Sequence, residues 1–136
     1  MVERRKHKRI KVKEGIFAVI RGPSGRLNHF TEMSMGEIAV SVYKSNPVKL
    51  GQIKNISVGG LAFHYIPAKN NLEGPYELDI LMTEKNIYLH NVPFEIISDE
   101  MIEKKPQDQE MPVKRTSLRF VNLSNQQLSR LQNILG

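Results

Sequence analysis

Residues 49–66 read KLGQIKNISVGGLAFHYI, two short apolar segments at 49–56 and 60–66 on either side of Ser57-Val58-Gly59. Strand-length runs flanking a glycine-containing turn predict a hairpin or tight corner, and period-two alternation puts Leu61 and Phe63 on one face. Working outward, GIFAVIR at 15–21 is short, apolar and β-branched and stops at Gly-Pro-Ser-Gly, which predicts a first strand. EIAVSVY at 37–43 predicts a second, broken by Ser45-Asn46-Pro47. At 76–82, Tyr76, Leu78, Ile80 and Met82 alternate with Glu77 and Asp79, the pattern of a half-buried strand. A long strand at 86–98 holds Pro93, which cannot donate a ladder hydrogen bond and so predicts a bulge or an edge. The polar stretch 99–111 reads as a mobile loop and 113–123 as the last strand. Ser124, a cap with Gln127 three residues on, then opens a C-terminal helix in which Leu128, Leu131 and Leu135 recur at helical spacing. Several short strands and one helix predict an all-β fold, a small antiparallel barrel or sandwich with the helix over one opening or an edge.

The chain has 136 residues, 40% of them apolar, and no cysteine. That size suits one core, and the missing thiols exclude disulfides, zinc ribbons, iron–sulfur clusters and cysteine nucleophiles. No apolar run is long enough for a membrane span, and residues 1–13 are too charged for a secretory signal, so a cytoplasmic location is expected. The charge is concentrated. Residues 1–13, MVERRKHKRIKVK, hold seven of the twenty Lys and Arg but one of the fourteen Asp and Glu, leaving the remainder formally neutral. A flexible cationic arm on a neutral body points to an anionic partner.

Two motifs combine arm and corner. Arg5-Lys6-His7-Lys8-Arg9 has the form RxxxR, and Asn55-Ile56-Ser57-Val58-Gly59-Gly60 has the form (D/N)xSxxG. In this order they resemble the signature of the PilZ domain, and Thr116 to Leu135 is similar to that family's closing strand, polar turn and terminal helix. The resemblance implies a six-stranded antiparallel β-barrel with a C-terminal α-helix, acting as a bacterial receptor for the second messenger cyclic di-GMP. It implies ligand contacts at Arg5, Arg9, Asn55, Ser57, Gly59 and Gly60. It adds Arg4, because arginine just before RxxxR tends in the family to accompany binding of an intercalated pair of ligands. The interval from Arg9 to Asn55 is 46 residues, longer than the family usually shows. An insertion around 23–47 accounts for it, dividing the chain into an arm at 1–13 and a barrel at 14–136.

The chemistry supports these choices independently. Each guanine presents O6 and N7 as adjacent acceptors; arginine donates to both, or to a phosphate, and stacks on a purine, whereas lysine is a point charge. The Asn55 amide donates and accepts, Ser57 offers a hydroxyl, and a glycine at Gly60 lets backbone approach a flat base. Ligand binding is expected to order the arm and create a surface for a downstream protein partner. The histidines lack metal-ligand spacing, and neither a nucleophile elbow nor a phosphate loop is present, so no metal, no cofactor and no enzyme are expected. The alternative is a nucleic-acid-binding β-barrel using the basic arm. Four Tyr and five Phe are few for base stacking, and Phe63, Phe94 and Phe120 fall on apolar faces, so nucleic acid is the less expected partner.

Overall fold

Among the described residues the elements are β1 (Ile10–Lys11), β2 (Ile16–Arg21), α1 (Met35–Lys44), β3 (Lys49–Ile56), β4 (Gly60–Tyr65), β5 (Glu77–Met82), β6 (Ile87–Val92), β7 (Phe94–Met101), β8 (Lys114–Phe120) and α2 (Asn125–Leu135). They come from a computed structural model that describes residues 10–11, 15–22, 32–44, 47–67, 75–85, 87–102 and 112–135. Seven strands pair in the order β6-β5-β2-β3-β4-β8-β7, and β1 pairs with β3. All these pairings are antiparallel. The two ends of the order, β6 and β7, are joined through Pro93, so the sheet curls back on itself as a PilZ-like β-barrel does.

The alternation read from 49–66 sets the curl. Leu61, Phe63 and Tyr65 on β4 enter one buried cluster with Ala18 and Ile20 of β2, Ile53 and Ile56 of β3, Leu78 and Ile80 of β5, Leu89 of β6 and Leu118 of β8. α2 closes this interior with Leu131 and Ile134. Each large side chain taken from water contributes roughly 1.5–3 kcal/mol. As expected, Ser124 and Gln127 cap α2: Gln127 N–H donates to Ser124 Oγ at 3.1 Å and Ser124 N–H to Gln127 Oε1 at 3.1 Å.

Four expectations are corrected. The stretch 37–43 is helical, part of α1. Ile38 and Val42, four apart, are its buried residues, and Ser34 and Glu37 form a reciprocal cap with two 3.2 Å bonds. Pro93 is a corner between two strands with different partners: β6 pairs with β5 and β7 with β8, so the path has seven strands rather than six. β5 is buried at all six positions instead of on one face. Of its outer residues, Leu81 lies under α1, in a second cluster with Val19, Ile38, Val42 and Tyr88. Its two carboxylates meet Arg21, whose guanidinium donates twice to Asp79 at 2.8 Å and lies 3.4 Å from Glu77. Asp79 also accepts from Tyr88 Oη and Asn91 N, so this buried charge is fully partnered.

The fourth correction concerns 99–111. Asp99 and Met101 belong to β7, while 103–111 lie outside the described residues. Asp99 ties β7 to the sheet: it accepts from Tyr65 at 2.7 Å, Thr116 at 3.0 Å and Lys114 at 3.1 Å, with Lys49 at 3.5 Å. Burial disfavours its ionisation, but these hydrogen bonds and the Lys49 charge prevail and hold its carboxyl below the usual range. The same burial and the Asp99 bond push the Tyr65 phenol well up.

Candidate functional site

The motif at 55–60 forms the corner between β3 and β4. Ile53 and Ile56 both face the interior although three apart, a spacing that alternation alone forbids. A bulge at Lys54 takes up the extra residue: Ile53 is opposite Phe63, Asn55 opposite Ala62 and Ile56 opposite Leu61. Asn55, half-buried, is thereby aimed away from the core.

Ser57 serves the turn. It is buried, its N–H donates to Gly60 O at 2.8 Å, and its Oγ accepts from Gly59 N at 3.0 Å. Gly59 O in turn accepts from Phe120 N at 2.9 Å, fastening the corner to the end of β8. Gly60 is required by the sheet: a Cβ there would collide with Leu118 O and stand 2.9 Å from Arg119 Cα. Its missing side chain makes room for the neighbouring strand, a different reason from the open approach to a base expected above.

β1 runs beside this corner. Ile10 pairs with Ile56 and Lys11 with Asn55, so the chain immediately after Arg9 lies against the second motif. Arg4, Arg5 and Arg9 lie outside the described residues. Of the expected site, the structure brings Asn55, Ser57, Gly59 and Gly60 together on one corner.

Three rows of side chains cross the sheet on the face opposite the interior. Asn55, Ala62, Ser117 and Ser98 form a row of short residues. On one side of it stand Gln52, His64, Arg115 and Glu100, and on the other Gly60, Arg119 and Glu95. Arg119 is committed to Glu95 at 2.6 Å. Arg115 instead approaches His64, Nη1 to Nε2 at 3.5 Å, and has no carboxylate at ion-pair distance among the described residues. Burial, then the charges of Lys54 and Arg115, push the His64 imidazole below its ordinary value. Sequence reasoning missed His64 and Arg115 because the register that makes them neighbours joins residues 51 positions apart.

The corner is chemically suited to a flat polar ligand: short side chains, a half-buried amide at Asn55, and cations beside it. Among the described residues no group of three His, Cys, Asp or Glu side chains could hold a metal ion, and no helix is long and apolar enough to cross a membrane. A cavity of about 550 Å³ lies elsewhere, at the Pro93 corner, lined by Tyr76, Asn91, Phe94 and Val121 among others, and contains none of the expected site residues.

No protein-family model and no curated protein matches the sequence. Solved structures do. The PilZ domain of Escherichia coli YcgR with cyclic di-GMP superposes with a TM-score of 0.63 at 17% identity, over 97% of this chain and 88% of that one. MrkH, described as a cyclic di-GMP-dependent transcription regulatory factor, gives a TM-score of 0.58 at 18% identity, over 98% of this chain and 50% of its own. The longer YcgR chain from E. coli in complex with cyclic di-GMP gives 0.58 at 17%, over 98% and 45%. The chain therefore spans about half of each of those two longer proteins. A curled antiparallel sheet, a closing C-terminal helix and these superpositions over nearly its full length give this chain the fold of a PilZ domain.

Proposed function

We propose that the chain is a non-enzymatic, PilZ-family receptor for cyclic di-GMP in a bacterial cytoplasm. Arg4, Arg5 and Arg9 hold the phosphates and guanine edges, and the corner of Asn55, Ser57, Gly59 and Gly60 receives the ligand. Ser57 and Gly60 act by fixing the corner's shape, and Asn55 by contact. Binding orders the arm, and the arm and ligand together form the surface read by a downstream protein.

The observation that carries this reading is the pairing of Ile10 with Ile56. Arg9 directly precedes Ile10 in the chain, and Arg5 is five positions before Ile10, within about 18 Å of it even at full extension. The two motifs, 46 residues apart in sequence, are thus within reach of one dinucleotide. The solved neighbours with cyclic di-GMP support the choice of ligand.

Calorimetric titration tests it. Wild type binds cyclic di-GMP, and Arg9→Ala weakens binding tenfold or more, the loss of a bidentate contact at about 1–3 kcal/mol, with an unchanged far-ultraviolet circular dichroism spectrum. Wild-type affinity in Arg9→Ala, or steeply salt-dependent nucleic-acid binding that ignores cyclic di-GMP, overturns the proposal.

A further inference from the structure

His64 and Arg115 form an unusual pair on the outer face. Both are cations or potential cations, they meet at 3.5 Å, and the contact is a hydrogen bond only while His64 Nε2 is unprotonated and accepts. The groups facing His64 are Gln52 and Lys54 from β3 and Arg115 from β8, with Glu100 of β7 one strand further, opposite Arg115. Burial, then the charges of Lys54 and Arg115, push the His64 imidazole down from its ordinary value. Glu100 is the carboxylate nearest Arg115 in the register, and Arg115 is in none of the ion pairs among the described residues. His64 is two positions along β4 from Ala62, the partner of Asn55, a step of roughly 7 Å on the same face.

We infer that His64, backed by Arg115, is a proton-linked contact for the anionic ligand of the Asn55 corner, so that binding takes up a proton and tightens as the solution becomes more acidic. The inference rests on the proposed cyclic di-GMP site. A phosphodiester remains ionised throughout the range in which histidine titrates, so the ligand itself supplies no proton linkage there. An anion set beside the pair reverses the local balance: it offsets Lys54 and Arg115 and favours the imidazolium. The sign follows from linkage. A group with a higher pKa in the complex than in the free protein strengthens binding as pH falls through that interval.

The test is calorimetric titration of the full chain with cyclic di-GMP between about pH 8 and pH 5.5, for wild type, His64→Gln and His7→Gln. One pKa unit of linkage is a tenfold change in affinity, so wild type is expected to bind about tenfold tighter at the acid end. His7→Gln should keep that slope and His64→Gln should lose it. The His64 imidazole resonance in wild type, titrated with and without ligand, gives the same answer without a substitution: its midpoint moves up on binding. Equal slopes in wild type and His64→Gln, a slope lost in His7→Gln instead, or an unmoved midpoint overturns the inference while leaving the receptor intact. Absence of binding by wild type at every pH overturns the receptor assignment, and this inference with it.

Discussion

The outer side of the sheet is treated differently at its two ends. Over β2, β5 and β6, α1 packs on Val19, Leu81 and Tyr88, and the buried charges of the same strands are neutralised in place, Arg21 by Asp79 and Glu77. Along the Asn55, Ala62, Ser117 and Ser98 row no described helix packs against it; that row is short, the turn is stitched by Ser57, and Arg115 bonds a histidine. A buried cation without its carboxylate would cost several kcal/mol, so the buried end must balance its own charge. At the half-buried end, where Arg115 keeps part of its hydration, that penalty is smaller and a cation can be left for a partner.

Four substitutions break or sharpen the contrast. The largest effect belongs to the buried end: Asp79→Ala strands Arg21 and Tyr88 and should cost about 3–5 kcal/mol in urea unfolding, whereas Arg115→Ala on the half-buried end should cost within about 0.5 kcal/mol. At the corner, Gly60→Ala forces β4 away from Leu118 O and should cost about 1–3 kcal/mol, read as a lowered thermal midpoint together with weakened cyclic di-GMP binding. A milder change than either loss at the core or the corner loosens α1. Ser34→Ala removes the cap of α1 for about 1 kcal/mol, with faster amide exchange in α1 and unaltered ligand affinity.

What the sequence disclosed was local. The β3–β4 hairpin is announced by two apolar runs around one turn, and α2 by a Ser124–Gln127 cap followed by leucines at helical spacing. What stayed hidden depended on distant partners. Ile38, Val40 and Val42 alternate as a strand would, and only the Ser34-Met35-Gly36-Glu37 pattern, a capping box, marks α1 from sequence. β5 is buried on both faces, with Leu81 under α1 and Glu77 and Asp79 paired to Arg21, and one apolar run around Pro93 carries no sign that its halves pair with different strands. The candidate site divides the same way. Asn55, Ser57, Gly59 and Gly60 are contiguous and legible as a motif; the need for Gly60 comes from β8, and the His64–Arg115 pair from a register no local pattern encodes.

The central claim is that the arm and the β3–β4 corner bind one cyclic di-GMP together. Amide chemical shifts of the full chain, recorded while the dinucleotide is added, test it most directly. The account predicts changes concentrated at Ile10, Lys11 and residues 55–60, with α1 and β5 unmoved. Shifts confined to α1 and β5, or none at a saturating concentration, would contradict it.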